Sequence, residues 1–326
     1  MALDTNLDDT GLTTTPAGAH DDLRIDGPTG DAVTVDYGDS AAENSTWGRF
    51  KSSVGYFVRN QPLGMVALIF ILVIVFAAIF AGLITEHDPT WQNRRDVKVG
   101  PGTDFFFGTD HLGRDIFSRV VYGSRVSLAV AFAVVFIATF FGLLVGGISG
   151  YFGGRVDMFM QRVVDAIMSI PVLILALFIV ALLGPSLRNL ILALSIVYTP
   201  RFIRIARGEM LRIKESDYVA AAVALGSKPS RTILRHGVPN LMAPIIIMAS
   251  LSFGNAIVAE AALSFLGLGV PPPTPSWGRM VSDAREWMRL FPWMLLFPGA
   301  AISLLVLAFN LFGDAIRDHL DPRLVR

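Results

Sequence analysis

The 326-residue chain contains no cysteine. Disulfides, thiolate metal sites and cysteine nucleophiles are therefore excluded within it. Its five histidines (20, 87, 111, 236 and 319) are scattered, and no two sit at the spacing that would set a pair of metal ligands on one helix face. No Gly-x-x-x-x-Gly-Lys-Ser/Thr segment occurs, so the chain does not hold ATP through a P-loop of its own. Charge is scarce as well, at 17% of residues, whereas a soluble domain usually carries about 25%. Bases are nearly absent from residues 1–45, which hold ten acids and only Arg24. This tail also lacks any apolar run and is rich in Thr, Gly and Ala. Such a composition buries too little surface to order itself, so a disordered extension is expected. It has no basic start followed by an apolar core, and so no signal-peptide pattern. The zero net charge of the chain hides this asymmetry.

What is present is apolar surface: 53% hydrophobic residues and a mean hydropathy of +0.56. Charge-free intervals run from Arg59 to Glu86, Arg125 to Arg155, Asp165 to Arg188, His236 to Glu260 and Arg289 to Asp314. Each has room for the roughly 20 residues that cross about 30 Å of hydrocarbon as a helix. Lipid permits little else, because every backbone polar group must be paired internally. Leu187 to Ile205 supplies a sixth span, with Arg188 at one end and Arg201 and Arg204 at the other snorkelling to the interfaces. The expected fold is an all-α, polytopic membrane protein with six transmembrane helices.

Orientation follows the positive charge near the span ends. Arg49, Lys51 and Arg59 precede the first span without an acid among them. The stretch Arg201–Arg235 holds eight Lys/Arg against Glu209, Glu215 and Asp217, whereas Thr85–Arg125 is balanced at six against six. Both termini and the basic stretch are thus expected in the cytoplasm. The loops Thr85–Arg125 and Ser264–Arg289 are expected outside. Within the first of these, Gly113–Arg125 carries apolar residues at helical spacing beside Arg114, Arg119 and Arg125, which suggests a short amphipathic helix on the outer surface.

The most distinctive segment is Asp217–Asn240, DYVAAAVALGSKPSRTILRHGVPN. Ser216 or Asp217 can cap a small-residue helix over Tyr218–Leu225, and Gly226 can end it in a left-handed conformation. Ser227 can cap a second helix with Pro229 in its first turn, Ile233 and Leu234 on an apolar face, and Gly237 and Pro239 at its end. A span begins directly afterwards. Nothing in the segment resembles a catalytic set. A rigid elbow fused to a membrane helix can dock a partner and transmit a push. The plainer alternative is a basic loop that only sets topology.

At these residues the chain resembles the cytoplasmic EAA loop of ABC-importer permeases: Ala221 and Ala222, then Gly226 four residues on, then Pro239 thirteen further. It departs from that pattern at Ala220, where the family's glutamate would fall. Residues 101–128 (PGTDFFFGTDHLGRDIFSRVVYGSRVSL), 259–280 and 309–324 are similar to the dipeptide/oligopeptide/nickel branch of that family, in its C-type subunit. The resemblance covers roughly residues 50–326. It implies the type I ABC-importer permease fold and three regions: the acidic tail 1–45, a first transmembrane helix with its outer loop 46–125, and a permease core 126–326 containing a coupling loop 201–240. It also implies a homologous B-type permease, two P-loop ATPases that bind ATP and Mg, and an extracytoplasmic substrate-binding protein. No cofactor is expected in this chain and no nucleic acid among its partners. Coupling to the ATPases would fall to Asp217, Ala220, Ala221, Ala222, Gly226, Arg235, His236 and Pro239, with peptide as the cargo. Nickel or glutathione carried by the same class of transporter, or a secondary transporter, are the alternatives; no inverted repeat of the kind secondary transporters show is evident.

Four further features carry expectations. Gly142, Gly146, Gly150 and Gly154 form a small-xxx-small face suited to close helix packing. Asp165 lies near Arg162 and suits an arginine-paired structural role. Asn255 and Glu260 are candidates for the substrate path, Glu260 with the alternative of anchoring the outer loop. Trp277, Trp287 and Trp293 read as an aromatic interfacial belt.

Overall fold

A computed structural model describes residues 23–26, 32–35 and 61–320. Most of the acidic tail, the bases Arg49, Lys51 and Arg59, and the end of the 309–324 motif lie outside the described residues. The chain divides into two units, Met1–Asn60 and Gln61–Arg326. In the first, β1 (Leu23–Asp26) pairs antiparallel with β2 (Ala32–Val35), Leu23 opposite Val35 and Arg24 opposite Thr34. Ile25, Val33, Thr34 and Val35 are strand formers. Order at this point was not expected from the tail's composition. A lone two-stranded hairpin is marginally stable at best in water.

The second unit is helical. Five of its helices are long and apolar enough to cross a membrane, and a sharply bent pair makes a sixth crossing if counted as one span. Helix α1 (Pro62–Ile79) starts on a proline, which fits a first turn that needs no N–H donor. Most of its residues are not buried within the chain. After the single turn α2 (Ala81–Ile84) comes α3 (Ile116–Phe152), 37 residues without a break. Asp115 starts α3 by accepting from the backbone N–H groups of Phe117 and Ser118. At 1.5 Å per residue α3 is about 55 Å long, well beyond the hydrocarbon thickness. Its first turns are the amphipathic segment expected as a separate surface helix. They are instead the first turns of the second span itself, with Arg119 buried. The guanidinium of Arg125 caps α1, donating to the Ala78 and Ile79 carbonyls at 2.5 and 3.0 Å, which the helix end leaves unpaired.

The third charge-free interval departs from expectation. Only Val172–Leu183 within it is one helix, α5, about 18 Å long. It is preceded by the amphipathic α4 (Gly154–Met168), and the two meet at 88° across the Ser169–Pro171 break. Pro171 provides no N–H and biases Ile170 away from helix, and the break falls at these residues. Helix α6 (Leu187–Lys214) begins at Ser186, whose hydroxyl accepts from Asn189 N–H.

Gly142, Gly146 and Gly150 let α3 and α6 touch. A Cβ on them would meet Phe202 at 2.2 Å, the Ile203 carbonyl at 2.5 Å and the Arg207 carbonyl at 2.7 Å. Gly154 does not belong to this stripe. With Gly153 it has positive φ (60° and 64°) and open space around it, and it turns the chain from α3 into α4.

The elbow consists of α7 (Asp217–Ala224) and α8 (Pro229–Thr232), followed by a π turn (Ile233–Gly237) that runs without interruption into α9 (Val238–Phe265). After α10 (Trp277–Ala284), α11 (Trp293–Leu320) closes the unit. Its main core joins Val130, Val134, Leu194, Ile257, Leu263 and Leu305 from α3, α6, α9 and α11.

Candidate functional site

The elbow is the candidate site, and its conformation comes from local sequence. Ser216 occupies the cap position of α7, but its hydroxyl turns back to the Ile213 carbonyl at 2.5 Å and caps nothing. Asp217 lies exposed in the first turn, where a carboxylate favours the helix dipole. At the other end Gly226 has φ +85°; Ser227 N–H donates to the Ala222 carbonyl and Gly226 N–H to that of Val223. This is the Schellman pair of bonds, which places glycine where the chain turns left-handed. Ser227 accepts from the Thr232 hydroxyl, while Lys228 takes the cap position of α8.

Pro239 does not end the second helix. The Val238 N–H reaches back five residues to the Ile233 carbonyl, so one widened turn absorbs a residue that cannot donate. Elbow and span five are therefore one rod from Pro229 to Phe265. The Asn240 amide ties that rod to α7, donating to the Tyr218 hydroxyl at 3.3 Å and to the His236 carbonyl at 2.7 Å.

Val219 is the one buried side chain of α7; it joins Met210, Ile213 and Leu241 in a small core between α6 and α9. Ala222 is half-buried, Ala220, Ala221 and Ala224 are exposed, and Leu225, just past the helix end, is 89% exposed. Ile233 packs on the small core, but Leu234 is exposed rather than sharing its face. Neighbouring helical positions point about 100° apart, so both cannot serve one face. Ala222, Leu225, Gly226, Ser227, Arg231, Arg235 and His236 line one open concavity. The structure thus gathers Ala222, Gly226, Arg235 and His236 around it, leaves Asp217, Ala220 and Ala221 exposed on α7, and sets Pro239 exposed at the start of α9. The surface is small, apolar and positively rimmed. It has no nucleophile–base pair and no metal-ligand cluster among the described residues.

The two path candidates are not brought together. Glu260 is fully buried and accepts from Ser127 of α3 at 3.0 Å and Ser264 at 2.7 Å. Gly269 and Gly278 press against Ser264, where a Cβ would come within 1.9 and 2.8 Å of its side chain. Glu260 therefore ties α3 to α9, and the following loop packs on Ser264. Asn255 faces the other way, exposed, with its amide on the Leu251 carbonyl.

Three other expectations change. Asp165 pairs with Arg204 of α6 at 2.8 Å, not with Arg162. Trp277 is buried and donates to the Val120 carbonyl at 2.8 Å. Trp293 donates to the Thr109 carbonyl, and Lys98 sits 3.3 Å over the Trp287 ring. The tryptophans fasten the outer loop rather than form a lipid belt. A network of Asp110, Arg114 and Arg119, all buried, with the half-buried Asp283 and Arg279 was missed. Its only sequence signal is the balanced charge of the loop. The pair Asp157–Arg207 was missed too, since its partners stand 50 residues apart and share no motif.

Comparison with known proteins bears on this elbow and its spans together. Residues 138–326 match the family described as binding-protein-dependent transport system inner membrane component, and residues 46–101 match the N-terminal TM domain of oligopeptide transport permease C. The dipeptide transport system permease protein of Alkalihalophilus pseudofirmus is 45% identical over 82% of this chain and 88% of its own. The oligopeptide transport system permease protein of Bacillus subtilis is 40% identical over 82% and 87%. The di/tripeptide transport system permease protein of Pseudomonas aeruginosa is 41% identical over 82% and 90%. With more than half of its length in the family match and relatives aligned nearly end to end, the chain belongs to the binding-protein-dependent transport system inner membrane components.

Proposed function

We propose that this chain is the permease subunit of an ABC importer that carries di- or oligopeptides inward by alternating access. A homologous second permease would complete the pathway, and a substrate-binding protein would deliver the peptide from outside. Two ATPase subunits, which bind the ATP and Mg, would seat the elbow. The orientation that goes with this reading has both termini and the elbow in the cytoplasm.

The observation that carries the proposal is the union of an exposed, glycine-turned elbow with span five in one rod. A partner that closes on the elbow has differential affinity for two positions of that rod, and such a difference is what shifts a conformational equilibrium. Asn255, on the open face of the same rod, would line the path. Glu260 would hold the outer end of the rod to α3.

The test is ATP-dependent uptake of a labelled dipeptide by the reconstituted complex, with nickel and glutathione as competitors. Competition by peptides alone is expected. Uptake that persists without the ATPases would overturn the importer assignment, and competition by nickel or glutathione but not peptides would overturn the cargo.

A further inference from the structure

Helix α4 is left over from the functional account. It turns 88° away from α5, and α5 packs along α6. Its ion pairs give the same direction independently. Asp157 and Asp165, about 12 Å apart along α4, pair with Arg207 and Arg204, only about 4.5 Å apart along α6. The unequal spacings fit a helix that crosses α6 at an angle, as the 88° turn does. Because α6 spans the membrane, α4 lies near the membrane plane, at the end of α6 that leads to the elbow, which leaves the sixth crossing to α5.

Its two faces differ sharply. Val156, Phe159, Val163 and Ile167 recur at helical spacing on one side, with Val156, Phe159 and Val163 at 52%, 64% and 45% exposure. Both acids are committed to α6. Arg155 and Arg162, one heptad apart at the edge of the stripe, are exposed and form no ion pair among the described residues. The free charge beside the stripe is therefore positive only.

We propose that α4 is an in-plane interfacial helix, with its apolar stripe in the acyl region and Arg155 and Arg162 on the headgroups of anionic phospholipid. An apolar stripe with a cationic rim and no free carboxylate fits a negatively charged bilayer surface. Through Asp157 and Asp165 this anchor also holds the end of α6 that leads to the elbow.

The absence of cysteine makes the test direct. Phe159→Cys, Val163→Cys, Arg155→Cys and Arg162→Cys, each in the assembled transporter with cysteine-free partners, would be spin-labelled in phosphatidylcholine vesicles with and without phosphatidylglycerol. Labels at 159 and 163 are expected to collide with oxygen and not with an aqueous nickel chelate, and labels at 155 and 162 to show the reverse. Phosphatidylglycerol is expected to raise the oxygen-to-nickel ratio at 159 on the order of twofold, and Arg155→Gln with Arg162→Gln to abolish that response. Protection of 159 and 163 from both reagents would place a protein partner on the stripe, and aqueous access there would place it in water; either overturns the proposal. A label at Phe159→Cys that does not respond to phosphatidylglycerol while Arg155 and Arg162 are intact overturns the headgroup assignment.

Discussion

Gly226 and Glu260 show how differently two side-chain positions support the same rod. Gly226 has open space where a Cβ would go, so size is not its constraint; its φ of +85° is. Gly226→Asn, which tolerates the left-handed region, is expected to retain uptake. Gly226→Ala should weaken the turn by about 1 kcal/mol. Gly226→Pro, which cannot reach that φ and loses the bond to Val223, should abolish coupling while membrane abundance stays normal. Uptake and ATPase co-purification across the series check this, and a normal proline variant would remove the elbow from the mechanism. Glu260 is constrained by its partners instead. Glu260→Ala leaves two buried hydroxyls without an acceptor, each costing about 1–3 kcal/mol, whereas Glu260→Gln keeps a carbonyl for one of them. A melting temperature in detergent that falls in the order wild type, Gln, Ala is expected; equal values would mean the contact is idle. Gly226 was legible in the sequence because its constraint is local. The bonds of Glu260 to Ser127, 133 residues away, were not, and neither was the choice between path and anchor.

Among the elements, uncharged length identified four spans correctly and the arginine-flanked run Leu187–Ile205 a fifth, because lipid imposes one solution on a long apolar run. It failed where a proline interrupts the run, at Pro171, and where a helix outlasts the bilayer, as α3 does. The same extension explains why the outer arginines were misplaced: Arg114 and Arg119 look amphipathic in sequence but are enclosed by the outer loop and α10. Arg114 and Arg119 share Asp110, at 2.6 and 3.7 Å, and Arg119 also donates to the Pro89 carbonyl at 2.9 Å. Removing one partner of a buried pair typically costs about 3–5 kcal/mol, so Asp110→Asn should loosen the whole outer segment. Limited proteolysis between α2 and α3 should accelerate in that variant while the elbow remains intact. Unchanged protease resistance together with an unchanged melting temperature would show that the network is not what orders the cap.

Over the whole molecule, one asymmetry links topology to mechanism: the elbow side carries unbalanced positive charge and the outer side does not. The eight Lys/Arg between Arg201 and Arg235 resist translocation, whereas the balanced loop after α1 leaves little bias. The fold adds a mechanical reason for the same polarity. The outer side is clamped by Glu260, Trp277 and the Asp110 network, while the elbow side ends in an exposed surface held by the small Val219 core. A partner acting on the elbow would thus move the loosely held end of the rod about a fixed outer end. This requires the elbow and the outer loop to face opposite compartments. In intact cells, Leu234→Cys, 68% exposed on the elbow, should resist a membrane-impermeant maleimide until the cells are lysed, and Phe106→Cys, 66% exposed in the outer loop, should label at once. The chain has no other cysteine, so each signal reports one site. Labelling of both positions from the same side would contradict the six-span count, and labelling of Leu234→Cys alone in intact cells would invert the orientation and remove the elbow from reach of ATP.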